Sequence, residues 1–335
     1  MKTKLYLILF FFLVYPKLFF AQTVVNNKAE AKNTLQKAIR DINNLNCKSS
    51  LENSKKVLQY GLQYDDFSYV AKAYNIIGLN YEEFSDLNKA IYYYEKGIEY
   101  AYKANDIQLL DFLHNNLGNV YFFRLNDPKK GLTYYLKCYS YAKRNGVKND
   151  IAYAEVNIAD ANMQLGNFKT AKIFLDRIQL IAKVSEDFEI LVTFHSLLGK
   201  YYSNVNDKKN AEINYNIVIN KLKIGDKNFL KANELEMYDE IYTFYKKYKN
   251  IPKALLFLEM HDSLQDVVYV KERNQEIKFS NSSIEVVEMN NKIQKIASEK
   301  KVQDEKMSAS SSMVKMSLFL KKKLTMSCFF AVCTS

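Results

Sequence analysis

The stretch His114–Tyr135, HNNLGNVYFFRLNDPKKGLTYY, decides the fold. Its centre, Asn115-Asn116-Leu117-Gly118-Asn119-Val120-Tyr121, has the spacing of an apolar helix face, yet it carries a glycine and asparagines, residues that weaken a helix interior. One such glycine costs about 1 kcal/mol against alanine, so a recurrence of the arrangement points to a packing requirement. It does recur. The order aliphatic, small residue, two residues, aromatic is found at Ile77-Gly78-Leu79-Asn80-Tyr81 and at Leu198-Gly199-Lys200-Tyr201-Tyr202, with a weaker copy at Ile158-Ala159-Asp160-Ala161-Asn162.

The small residues Gly78, Gly118, Ala159 and Gly199 stand 40, 41 and 40 residues apart, a period that belongs to stacked supersecondary units. A second signal follows each of them: Ala90, Gly131, Ala171 and Ala211, 12 or 13 residues later, each with Tyr94, Tyr135, Leu175 or Tyr215 four further on. A small residue and a large apolar one at i+4 share a helix face. Each period is therefore read as two helices, closely packed at their small residues.

These residues resemble the tetratricopeptide repeat (TPR), whose first helix carries a small residue and then an aromatic, and whose second helix carries alanine and then an aromatic. A degenerate last copy reads Tyr242, Tyr245, Ala254, Leu258, and a weaker first copy includes Leu45, Ser54 and Leu58. The predicted fold is all-α, a solenoid of about five to six TPR helix pairs with a period near 40 residues, followed by a long polar helix. The family's usual period is about 34 residues, so the longer one implies longer helices, as in its peptide-binding subgroup. The chain has no Trp, and the family's first-helix tryptophan slot holds Tyr74, His114, Glu155 and His195.

Composition fits this reading. Only 9 Gly and 3 Pro occur in 335 residues, with Pro128 and Pro252 just before second helices, where a missing N–H costs little. The net charge of +11 falls to +8 without Lys2, Lys4 and Lys17, and the other lysines are scattered among Glu and Asp. That pattern is a solvated face, and no nucleic-acid partner is expected. Lys2 and Lys4 precede an apolar run from Leu5 to Tyr15 that ends at Pro16, and Phe19-Phe20-Ala21-Gln22 follows. This reads as a secretory signal peptide over residues 1–21, cleaved after Ala21, placing the repeats in the periplasm of a bacterium; left uncleaved, it would anchor them to the membrane.

No phosphate loop, CxxC, HExxH or GxSxG motif is present, so no catalytic residue, metal site or cofactor is expected, and the chain is read as a non-enzyme. His114 and His195 lie four residues before Gly118 and Gly199 and read as fillers of one packing slot, and His261 as structural. Cys138 reads as a buried thiol. The asparagines carry more. In an α-solenoid the first helices line the inner surface, where extended segments bind. Asn116 and Asn157 each lie two residues before the small residue, on adjacent repeats, and an amide offers both a donor and an acceptor to a peptide backbone. In the peptide-binding subgroup that the chain resembles, asparagine at this place clamps the ligand backbone. The candidate groove is thus Asn116 and Asn157, with Asn119, Phe122, Tyr153, Asp160 and Lys200 on the same helices.

The array is assigned to residues 22–269. Val270, Ile277 and Ile284 are seven apart among polar residues, so 270–307 reads as a coiled-coil-like helix that could pair two copies. Ser308-Ala309-Ser310-Ser311-Ser312 is read as a break, and 308–335 as a tail of low order. Leader, repeats and coiled helix in this order resemble the extracytoplasmic part of bacterial membrane sensors, which continue into a membrane span and a helix-turn-helix or histidine-kinase output domain. Only twelve residues follow Lys321-Lys322-Lys323, so the tail is read as truncated or frame-shifted, its membrane span missing. The expected function is peptide or protein binding, as the sensing part of such a protein or as a free-standing periplasmic adaptor.

Overall fold

The computed structural model describes residues 25–44, 46–182, 187–225, 231–267 and 291–310. The leader, Leu45, the heptad residues Val270, Ile277 and Ile284, and the tail with Lys321–Lys323, Cys328 and Cys333 lie outside the described residues.

Every regular element among the described residues is a helix. They are α1 Lys28–Asn43, α2 Cys47–Gln63, α3 Phe67–Glu83, α4 Leu87–Ala104, α5 Ile107–Asn119, α6 Pro128–Asn145, α7 Lys148–Gln164, α8 Phe168–Ala182, α9 Phe188–Asn204, α10 Lys208–Ile224 and α11 Lys231–Lys247. Two more, α12 at 251–267 and α13 at 291–310, complete the set. The first twelve form six consecutive pairs, each a first helix and a second one, and the whole is an all-α solenoid.

Five of the turns between these helices use one device: a residue in the left-handed region, then a capping side chain. Asp65, Ser85, Asn105, Asn126 and Asn206 have positive φ. Asp66, Asp86, Asp106, Asp127 and Asp207 follow them directly and accept from the N–H three residues on. Short polar side chains tolerate the left-handed turn, and an aspartate cap satisfies a free amide while its charge meets the positive end of the helix dipole.

The glycines serve the core as their recurrence requires. A Cβ on Gly78 would lie 2.6 Å from Tyr94 Cδ1, and one on Gly199 2.6 Å from Tyr215 Cε1; at Gly118 the ring of Tyr135 is nearer still. Each ring comes from the second helix of the same pair and is buried against the bare backbone of the first. Where the small residue is Ala159, the partner is Leu175, in the same core cluster. Glycine takes tyrosine and alanine takes leucine, as size complementarity demands. Beside this contact Tyr81 stacks on Tyr93 at 5.4 Å, Tyr121 on Tyr134 at 5.3 Å and Tyr245 on Phe257 at 5.8 Å. The tryptophan slot also behaves as one place: Tyr74 stacks on Tyr93, His114 lies against Tyr141, Glu155 faces Arg177 and His195 bonds Asn214, each on its own second helix.

Neighbouring pairs are joined by polar bonds one repeat long. Ser68 donates to Asp106 and Arg124 to Ser85, while Tyr102 and Tyr141 share a hydroxyl bond, over separations of 38 or 39 residues. Between α9 and α11 the step lengthens to 44, as shown by Ser196 Oγ donating to Glu240 at 2.7 Å and Asn233 to Glu189 at 3.4 Å.

Helix α13 does not stand apart. Ile293, 1% exposed, joins the core of the first two and a half pairs, Ile296 packs beside it, and Lys300 pairs with Asp65 at 2.8 Å. The helix runs through Ser308 and Ala309 to residue 310, into the serine stretch expected to break it. The described part of the polar helix therefore packs on the chain's own N-terminal repeats, since two isoleucines one turn apart suffice to seat one face of it.

Candidate binding groove

Four first helices, α5, α7, α9 and α11, build the walls of a cavity of about 410 Å³. Their contributions recur with helical spacing: Phe112, Asn115 and Asn119 from α5, then Tyr153, Asn157 and Asp160 from α7. Glu189, Thr193 and Ser196 of α9 and Asn233, Glu236 and Glu240 of α11 continue the series. Residues three or four apart share a helix face, so each helix turns one stripe toward the same space. Among the described residues of the second helices only Cys138 reaches it.

The structure places the residues expected from the sequence in three settings. Asn119, Tyr153, Asn157 and Asp160 line the cavity. Lys200 stands beside it, bridging Asp160 at 2.8 Å and Glu240 at 3.2 Å. Burial works against its charge, but Glu240 and Asp160 together outweigh this and hold the ammonium well above its usual range. Asn116 is turned to the seam between pairs, where its Nδ2 donates to Asn75 Oδ1 at 2.9 Å. Asn157 Nδ2 donates in the same way to Asn115 Oδ1 at 2.9 Å. The asparagines thus form a ladder from repeat to repeat, and on α5 it is Asn115, one residue ahead of Asn116, that lines the groove with Asn157 of α7.

Phe122 is a correction. It is 6% exposed and packs on Tyr135, and a Cβ on Gly131 would strike its own Cβ at 2.8 Å. The reason is a π-helical turn over Val120–Arg124, which adds a residue to the helix and shifts every later side chain round the axis. Phe123, 53% exposed, takes the groove-facing place, with Phe112, 44% exposed, one end along.

The floor and rim are acidic. Asp111, Asp150, Asp160, Glu189, Glu236 and Glu240 all line the cavity, and among the described residues no Lys or Arg does. Asp111 is 3% exposed and accepts from Cys138 Sγ at 2.8 Å. Burial first, then the charge of Asp150, raise its carboxyl to about 6, although the thiol bond pulls the other way. Burial and the neighbouring Asp111 in turn push the Cys138 thiol far above its usual value. This is an inert, protonated thiol, the opposite of an activated nucleophile. Desolvation in the groove, with Glu240 and Asp160 nearby, raises Glu236 to about 7. The sequence pattern passes over Asp111, Asp150 and the acids of α9 and α11: a lone acid in an apolar helix gives no sign of its burial, and the longer step of 44 residues hides the register of α11.

The geometry, repeated helix pairs with a groove across the first helices, defines a TPR-type solenoid. No family model matches the chain, and no curated protein matches it in sequence. Among solved structures it is similar to the apo form of RapI, with a TM-score of 0.57 and 15% identity over 76% of this chain and 87% of that one. A Rap protein in complex with Competence and Sporulation Factor gives a TM-score of 0.56 at 14% identity, covering 74% of this chain and 66% of that one. PilW, a widely conserved type IV pilus biogenesis factor, gives 0.51 at 16% identity, covering 72% and 100%. At these identities the likeness is one of fold.

Proposed function

We propose that the chain is a non-enzymatic scaffold that binds an extended peptide or protein segment along the groove of α5, α7, α9 and α11. The observation that carries this is the pair of exposed rings, Phe112 and Phe123, set in a polar cavity that four successive repeats build together. Large exposed apolar groups in a concave, otherwise polar site are what a bound segment covers. Asn119 keeps its Nδ2 for a ligand carbonyl, since its Oδ1 accepts from Tyr135 at 3.0 Å. The Rap neighbour solved with Competence and Sporulation Factor supports binding on such a fold.

The leader-like N-terminus supports an exported setting, and its order with the repeats supports the sensing part of a membrane signalling protein. A free-standing periplasmic adaptor is the second reading, favoured by the likeness to PilW, a pilus biogenesis factor. None of the helices among the described residues is long and apolar enough to cross a membrane.

The test is capture from an envelope extract with wild-type chain and with Phe112→Ala/Phe123→Ala as bait. Both rings are exposed, so the helical circular dichroism should not change, and a partner held by the wild type should be lost. A partner held equally by both would move the interface away from this groove.

A further inference from the structure

At the α5–α7 end of the groove two carboxylates, Asp111 and Asp150, line the cavity, and among the described residues no Lys or Arg lines it with them. Asp111 is buried, and its only hydrogen-bond partner among the described residues is the thiol of Cys138, a weak donor. Asp150 comes from the first turn of α7; its Oδ2 is buried with no partner. The two are close enough for Asp150 to act electrostatically on both Asp111 and Cys138. A buried carboxylate oxygen left without a strong donor or counter-charge is an unfavourable arrangement, and proteins keep one where something else completes it.

Among the described residues nothing completes this one. Among the described residues the cavity lining has no Lys or Arg, although the whole chain carries a net charge of +11. Lys200, beside the cavity, is already held between Asp160 and Glu240. A metal ion is a poor fit, since among the described residues no three His, Cys, Asp or Glu side chains converge as ligands. The cation has to arrive with the bound molecule. The exposed rings of Phe112 and Phe123 line the same space, where they would pack the aliphatic stem or the face of an arginine.

We propose that Asp111 and Asp150 form a socket for one basic side chain, arginine or lysine, of the segment that the groove binds. The inference rests on the groove reading above and adds the chemistry of the ligand: a segment of net positive charge, anchored at α5 and α7. Glu189 and Glu236 further along the groove favour the same sign.

Calorimetric titration of the full chain tests this with three nonapeptides in which alanine alternates with arginine, with glutamine or with glutamate. The arginine peptide should bind about tenfold or more tightly than the glutamine peptide, and the glutamate peptide least. Asp111→Asn/Asp150→Asn keeps shape and should erase most of that preference, while Glu52→Gln/Glu299→Gln, two exposed acids outside the groove, should keep it. Asp150→Asn alone is the second variant should the double one unfold, and it should lower the preference in part. Equal affinity for the arginine and glutamine peptides overturns the socket, as does an equal loss in both double variants, which would mean diffuse attraction. If the glutamine peptide binds without charge preference and Phe112→Ala/Phe123→Ala weakens it, the groove reading stands and the socket alone fails. If none of the three binds, the socket fails and the capture experiment above decides the groove.

Discussion

At the scale of the residue, Gly118 shows how a local defect is explained by a partner elsewhere. Alanine is the better helix former by about 1 kcal/mol, so helix propensity alone predicts that Gly118→Ala stabilises the chain. Packing predicts the reverse, because the added Cβ enters the ring of Tyr135, which is fully buried and has no room to yield. We expect a net loss of about 1–3 kcal/mol in urea unfolding, recovered in part by Tyr135→Leu, which copies the Ala159–Leu175 pairing. A stabilised Gly118→Ala variant would contradict this packing. This much was legible in the sequence, since the offset from glycine to tyrosine repeats. Asp111 was not, because a lone acid in an apolar helix gives no sign of its burial. Its raised carboxyl sets a pH dependence: between the ordinary carboxylate value and about 6 the folded chain holds a proton that the unfolded chain has lost, so stability falls as pH rises through that window. With the facing groups Cys138 and Asp150 unchanged, Asp111→Asn should melt like wild type at about pH 4 and at a higher temperature at about pH 7.5. Identical differences at both pH values would contradict it.

At the scale of the element, the turns do more than end helices. Asp106 caps α5 through the Leu109 N–H at 3.1 Å and also accepts from Ser68 of α3 at 2.8 Å, joining two pairs. Asp127 caps α6 through Lys130 N–H. Asp127→Ala should cost about 1 kcal/mol, an ordinary cap, and Asp106→Ala about 1 kcal/mol more for the lost bond across pairs. Equal costs in chemical denaturation would show that the cross-repeat bond contributes nothing. These caps are written in the sequence as Asp-Asp, Ser-Asp and Asn-Asp pairs ahead of five of the helices, a signal separate from the recurring small and aromatic residues. The π-helical turn was not legible: Phe122 and Phe123 are chemically alike, and only the extra residue at Val120–Arg124 decides which one faces the groove.

At the scale of the whole molecule, the period carried the architecture, and the step of 44 between α9 and α11 is where it faltered. The far end of the chain closes back on the beginning. Ile293 is 1% exposed against the N-terminal repeats, so Ile293→Ala should cost about 2–4 kcal/mol, as for other core truncations, whereas an undocked α13 would leave stability unchanged. The groove lies on α5, α7, α9 and α11, away from the α13 contact, and the central claim is that ligand binds there. Hydrogen exchange of the full chain, with and without its captured partner, tests it most directly. The account predicts slowed exchange in the first helices, at 107–124, 148–164, 188–204 and 231–247, with little change in the second helices. Slowing confined to α4, α6, α8, α10 or α13 would contradict it.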